Sequence, residues 1–289
     1  MIKLIAIDLD GTMYTSDHRI TPSVRNALDA AIENDIQPVI VTGRGRRGAE
    51  YALDLLEKDF PYICSAGALL RSGKQGETIH SWTFHEHAEM LHVIDFTRKH
   101  GTGLIAEPAE KAPYWFGPDS MRDVMDPMTV KEAYRSQRTF QPEIDFDQPL
   151  LKVTIAASPE LLLEAEKVVR KRCPSIHLVF SGIQYIDLTA DGANKGSALS
   201  ALADYLHLRS KEIAAIGDQG IDLQMLHYAG LPIAMANAVP ALKDIAHWIA
   251  PSNDEDGVAW AITEIIRQNK LGWPNNPEKN NNIRTSNVI

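Results

Sequence analysis

The order of apolar segments along the chain restricts its fold more than any single motif does. Lys3 to Asp8 is an apolar run of strand length, and Ile36 to Val41 is a second. Between them "TPSVRNALDAAIEND" has helical spacing, with Thr21 as N-cap, Pro22 at the first helical position and Val24, Leu28 and Ile32 as the apolar face. A helical pattern from about Arg47 to Leu56 and a short strand starting at Tyr62 to Cys64 follow. Strands that alternate with helices must be joined by crossovers, and crossovers make neighbouring strands parallel.

The rhythm breaks after about Thr83, where prolines at 108, 113, 118, 127, 142 and 149 interrupt the chain. The clearest elements here are a strand from Leu151 to Ala156, a helix from Pro159 to about Arg172, and a strand pair, Ile176 to Phe180 and Tyr185 to Leu188. From Asn194 the alternation returns: a helix to His207, the strand "EIAAIG", a helix to Tyr228, "LPIAMA" and a last helix to about Gln268. A sheet begun at the N-terminus is thus interrupted by an inserted domain and then resumed. The ending "GWPNNPEKNNNIRTSNVI" is rich in Asn and Pro without periodicity, and residues 270–289 are expected to be a disordered tail.

Composition excludes several functions. With 44% hydrophobic and 23% charged residues over 289 positions, the chain has enough apolar material for two ordinary domains. A net charge of −9 argues against binding a phosphate backbone, so no nucleic-acid partner is expected. Cys64 and Cys173 fit no metal or disulfide spacing and read as buried reduced thiols. The N-terminal apolar run stops at Ile7 before two aspartates, too short for a signal peptide or a membrane span, which makes a cytoplasmic location the expectation.

Polar chemistry gathers at strand ends. "DLDGT" closes the first strand, where alternation turns Asp8 and Asp10 to one side, and Gly11 permits a sharp turn. Two neighbouring carboxylates repel, which suits either a metal site or an acid–base pair. Thr42 and Gly43 end the second strand, and Gly217 and Asp218 end "EIAAIG". Ligands of open α/β sheets bind outside the carboxyl ends of the strands, so these three ends would share one crevice, with Lys195 in "GANKGSAL" as its cation.

The succession D-x-D-G-T, T-G-R, K-G and G-D-x-x-x-D resembles the haloacid dehalogenase-like superfamily of phosphohydrolases. More narrowly it is similar to the Cof-type sugar-phosphatase branch, in which a large α/β cap lies between the second and third motifs. The resemblance spans about residues 1 to 269, including "SNDEDGVAWAI". It implies a Rossmann-like, doubly wound parallel sheet formed by residues 1–83 and 187–269, and a cap formed by 84–186. "GRGRRG" also spells the G-x-G-x-x-G of dinucleotide sites, but "YICSAGA" lacks the acidic residue expected to close the next strand.

The resemblance also implies residue roles. Asp8 would attack phosphorus and form an aspartyl-phosphate, and Asp10 would serve as acid and then base. Mg²⁺ would bind Asp8, the backbone carbonyl of Asp10, and Asp218, with Asp222 supporting these ligands from behind. Lys195, Thr42 and Gly43 would orient the phosphoryl group, and Arg44 would hold a substrate anion. The cap would close over a small phosphorylated metabolite. The chain is expected to act as a monomer or homodimer.

Two positions depart from the family pattern: Ile221 and Ala66 stand where Cof-type sequences usually carry asparagine. A phosphosugar mutase, or a slow-turnover protein that binds phosphometabolites, remains an open alternative. "PYWFG", residues 113 to 117, reads as local core rather than a contact loop. His80, His85 and His87 in "HSWTFHEH" read as a surface turn rather than a metal site.

Overall fold

The computed structural model describes residues 1–84, 87–111, 113–117, 139–140 and 148–273. Pro118, Pro127, Pro142, His85 and the tail from 274 onward lie outside them. No helix among the described residues is long and apolar enough to cross a membrane.

The larger sheet contains β1 (Leu4–Ile7), β2 (Gln37–Val41), β3 (Tyr62–Cys64), β4 (Leu69–Arg71) and β5 (Thr78–Ser81) from the first part of the chain. The second sheet contains β6 (Gly103–Pro108), β7 (Tyr114–Phe116), β8 (Thr139–Phe140), β9 (Leu150–Ala156), β10 (Ile176–Gly182) and β11 (Tyr185–Ala190). The last three strands, β12 (Ile213–Gly217), β13 (Leu231–Met235) and β14 (Trp248–Ala250), rejoin the larger sheet. Its order is β14-β13-β12-β1-β2-β3-β4-β5, parallel from β14 to β3 and antiparallel at the β3–β4–β5 edge. The chain winds outward from β1 to β3 and then returns to the other side of β1, which makes the β1–β12 boundary a topological switch point. This is the expected Rossmann-like core. The hairpin of β4 and β5 adds an edge that the apolar pattern did not announce.

The helices of this layer are α1 (Pro22–Glu33) and α2 (Arg46–Leu56). Helix α3 (His87–His100) and α4 (Pro159–Arg172) belong to the second layer, and α5 (Lys195–Tyr205), α6 (Leu223–Tyr228), α7 (Pro240–Ile245) and α8 (Gly257–Leu271) complete the chain. Thr21 caps α1 by accepting from the Val24 N–H at 3.2 Å. The buried face of α1 is Val24, Ala27, Leu28 and Ala31, whereas Ile32, expected on that face, is 44% exposed. At 100° per residue the stripe centred on positions 24, 28 and 31 leaves 32 at its edge, and small alanines let the helix sit closer to the sheet. Helix α8 runs to Leu271, and Trp273 stacks on Trp248, so ordered packing continues a little past 269.

The second sheet has the order β10-β11-β9-β6-β7-β8. Its strands alternate strictly. Leu104, Ala106, Val153, Ile155, Ile186 and Leu188 pack with α3 and α4 residues in a core of their own. Ile105, Glu107, Lys152, Thr154, Tyr185 and Asp187, one position out of phase, line a cleft facing the larger sheet. A period of two sends neighbouring side chains to opposite faces, so the same strands make a core and a site wall. The second sheet extends to Ala190, beyond the expected return to the core at 187. Tyr114, Trp115 and Phe116 are buried strand residues, consistent with "PYWFG" as local core. His80 lies in β5 with its ring against Trp82 at 3.9 Å, so strand replaces the turn read there; the His87 side chain lies outside the described residues. Cys64 and Cys173 are free and buried.

Candidate active site

Strand β1 is wholly buried and its ladder continues one step further, with the Asp8 N–H donating to Ile216 O at 3.1 Å. The pleat then ends. Leu9 to Met13 form one wide helical turn in which Gly11 has φ +76, a conformation costly for side chains other than glycine's. A Cβ on Gly11 would also collide with the Asp218 carboxylate. This turn, not strand alternation, sets the relation of Asp8 to Asp10: Asp8 is buried, while Asp10 is nearly half exposed at the cleft. Thr12 Oγ1 donates to Asp218 Oδ1 at 3.0 Å and so ties the turn to the end of β12.

Lys195 begins α5, whose N-cap Asn194 accepts from the Gly196 and Ser197 N–H groups at 2.9 Å each. Its side chain is fully buried, and Nζ donates to Asp8 Oδ1 at 2.6 Å and Asp222 Oδ1 at 2.5 Å. Burial pulls the ammonium pKa down, but Asp222 and Asp8 more than offset this, and the net direction is upward. Asp222 Oδ2 accepts from the N–H groups of Asp218 and Gln219 at 3.0 Å each. Both Asp222 oxygens are therefore engaged in holding Lys195 and the backbone that carries Asp218.

Burial raises the Asp8 carboxyl pKa well above the usual range; Lys195 opposes this, while Asp222, Asp218 and Asp10 add to it. Burial and Asp222 raise Asp218 to about 6. Asp8, Asp218 and Asp222 each bring a carboxylate oxygen within 4.8 Å of the others, and of the three it is Asp222 whose oxygens are both already engaged. Buried, mutually repelling, all-oxygen donors suit a hard divalent cation, which would remove the penalty both raised pKa values record. The residues present thus fit Mg²⁺.

The other strand end is occupied as follows. Thr42 is fully buried, and its Oγ1 accepts from the Arg44 N–H at 3.1 Å. Gly43 forms part of the cleft wall, and Ile221 packs beside it: a Cβ on Gly43 would lie 3.6 Å from Ile221 Cδ1. Arg44 is engaged with Asp10, Nε donating to Oδ2 at 2.7 Å and Nη2 to Oδ1. Its Nη1 makes no hydrogen bond among the described residues. The structure thus brings Asp8, Asp10, Gly43, Arg44, Lys195, Asp218 and Ile221 to one cleft of 1380 Å³, with Thr42 and Asp222 just behind its wall.

Opposite them stands a group not singled out from the sequence: Glu107, Lys152, Thr154 and Asp187. Charged residues inside strands as apolar as "LLKVTIA" and "YIDLTA" were the available signal.

The model of the haloacid dehalogenase-like hydrolase family matches residues 5–262. The chain is 32% identical over 282 residues to the Bacillus subtilis protein named "Putative phosphatase YxeH", covering 92% of this chain and 99% of that protein. It is 27% identical over 265 residues to the 5-amino-6-(5-phospho-D-ribitylamino)uracil phosphatase YcsE of Bacillus subtilis, covering 92% and 96%. A solved haloacid dehalogenase-like hydrolase from B. subtilis superposes with a TM-score of 0.78 at 26% identity, covering 91% of this chain and all of that one.

Proposed function

The chain belongs to the haloacid dehalogenase-like hydrolases and is a phosphoric monoester hydrolase, and from that premise we propose that it dephosphorylates a small, sugar-phosphate-like metabolite with Mg²⁺ and an aspartyl-phosphate on Asp8. The observation that carries this reading is the Lys195 bridge between Asp8 and Asp222 at the switch point, with Asp218 alongside.

Lys195 occupies Asp8 Oδ1, which leaves Oδ2 for in-line attack on phosphorus. As that bond forms, the phosphorus–oxygen ester bond breaks and Asp10 delivers a proton to the departing alcohol oxygen. In the second half Asp10 takes a proton from water, the water oxygen bonds to phosphorus, and Asp8 leaves as a carboxylate with inorganic phosphate released. Asp8, the Asp10 carbonyl and Asp218 would hold Mg²⁺, whose chemistry here is neutralisation of the phosphoryl oxygens. Asp222 keeps Lys195 and the Asp218 backbone in place. Thr42 and Gly43 hold the phosphoryl group, and Arg44, which lines the cleft beside Asp10, holds a substrate anion.

The segment 84–186 acts as a cap that shuts water out and reads the remainder of the substrate. The phosphorylated ribityl chain in the name of one relative supports a polyol or sugar phosphate as the substrate class.

Phosphate release from a panel of phosphorylated metabolites tests the reading. We expect turnover of sugar and polyol monophosphates with Mg²⁺ and loss on chelation. Asp8→Asn should abolish turnover in folded protein, and Asp10→Asn should slow it by about 10²–10⁴-fold. Full activity of Asp8→Asn, free of contaminating phosphatase, overturns the mechanism.

A further inference from the structure

Lys152 is a buried lysine in the middle of β9. It faces Glu107 across the β6–β9 pair, and Thr154 faces Asp187 across the β9–β11 pair. Its ammonium lies 3.3 Å from Glu107 Oε1 and 3.6 Å from Asp187 Oδ2. The carboxylates are anchored in turn: Asp187 Oδ1 accepts from Thr154 Oγ1 at 2.6 Å, and Glu107 Oε2 accepts from Ser65 Oγ at 2.8 Å. Burial pulls the Lys152 pKa down, yet Asp187 and Glu107 more than offset it, so the group stays cationic.

An ammonium has three N–H donors; Asp187, at 3.6 Å, pairs with it through charge and lies beyond hydrogen-bond distance, so a donor is free to turn out of its own sheet. That donor crosses the cleft to the larger sheet's loop and meets the Gly43 carbonyl at 2.9 Å. The Gly43 carbonyl and the Arg44 N–H belong to one planar peptide, so fixing the direction of one fixes the other. The Arg44 N–H is the group that donates to Thr42 Oγ1. With that lone pair of Thr42 occupied, the hydroxyl's own proton is directed elsewhere. The same loop is pinned by Ser65, whose N–H donates to Arg44 O at 2.7 Å and whose hydroxyl is held by Glu107.

We propose that Lys152 is a positioning residue for the phosphate site: by holding the Gly43 carbonyl it orients the Gly43–Arg44 peptide and, through it, the Thr42 hydroxyl. Docking of the second sheet and organisation of the phosphate-binding loop then become one event, and a substrate meets a prepared loop only when the cleft is assembled. This rests on Thr42 and Gly43 holding phosphate, as proposed above.

The test measures KM and kcat for p-nitrophenyl phosphate and the inhibition constant of inorganic phosphate, with Mg²⁺, in the full chain. Lys152→Met should raise KM and the phosphate inhibition constant together by about 10-fold, the low end for losing a hydrogen bond to a charged group. Lys152→Arg should recover part of that loss. A merely structural role would reduce the fraction of active enzyme, lowering kcat with both constants unchanged, and that result overturns the proposal. If Lys152→Met does not fold, Lys152→Met/Asp187→Asn removes buried charge of both signs and is measured in its place. The same substitution is then made in a Thr42→Val background, where it should change the phosphate constant less than twofold if Lys152 acts through Thr42. An equal effect in both backgrounds refutes the relay. A Thr42→Val enzyme with unaltered phosphate inhibition refutes instead the phosphate site on which the relay depends.

Discussion

Ala66 has φ +58 and its neighbour Ser65 φ +51, so two consecutive residues with side chains occupy the left-handed region. Gly67 follows at φ +100, and a Cβ there would collide with the Asn194 backbone. The tight turn between β3 and β4 thus exists to press against the start of α5, which carries Lys195. Alanine in the left-handed region carries a conformational cost of about 1–2 kcal/mol, which asparagine, usual at this position in the family pattern, tolerates better. Glycine removes that cost but loses about 0.5–1 kcal/mol of chain entropy. Ala66→Gly should therefore stabilise the protein by up to about 1 kcal/mol, seen as a higher urea midpoint at unchanged slope. A lower midpoint would mean that packing of the Ala66 methyl outweighs the backbone strain. At position 221 the departure has a different consequence, since Ile221 gives the cleft an apolar wall beside Gly43 where a polar amide is usual.

Single elements are held in place by charges at their ends as well as by apolar faces. Glu212 closes the short turn Ser210–Glu212 that leads into β12. It accepts from the Arg209 N–H and Nε at 3.0 Å each, and Lys3 Nζ, one residue before β1, lies 2.9 Å away. Arg209 foremost, together with Lys3, lowers the Glu212 pKa from 4.5 to about 2. A carboxyl depressed in the folded state contributes stability above its unfolded pKa and loses it as pH falls through the folded value. Glu212→Gln should thus lower Tm at neutral pH, and its deficit should shrink below about pH 4.5 and vanish near pH 2. Calorimetry of both proteins across that range checks it; a deficit constant with pH would assign the effect to hydrogen bonding alone. Long elements were legible in the sequence, as the Pro159–Arg172 helix illustrates, because an amphipathic period accumulates over several turns. Strands β5 and β14 were not, since β5 is largely exposed and β14 has three residues, too few to establish a period.

At the scale of the molecule, the larger sheet delivers carboxylates to the switch point and the second sheet supplies the facing wall. Three buried acids at one point repel one another, so a cation that binds only the folded protein should stabilise it. Mg²⁺ at about 100 times its Kd should add about 2.7 kcal/mol and raise Tm, whereas NaCl of equal ionic strength should not. Asp218→Asn should abolish the shift; a shift that persists would place the cation elsewhere. Much of this molecule is written locally in the chain. Strand-length runs, helix caps, and Asp8, Asp218 and Lys195 at element ends follow from residues close in sequence, because periodicity and capping act over a few positions. The engagement of Arg44 with Asp10, the turn that sets Asp10 apart from Asp8, and the Glu107–Lys152–Asp187 cluster were decided only by tertiary structure. Those contacts join residues far apart along the chain. A lone charge in an apolar strand signals that a partner must exist, but strand register and the docking of one sheet on the other determine which partner it meets.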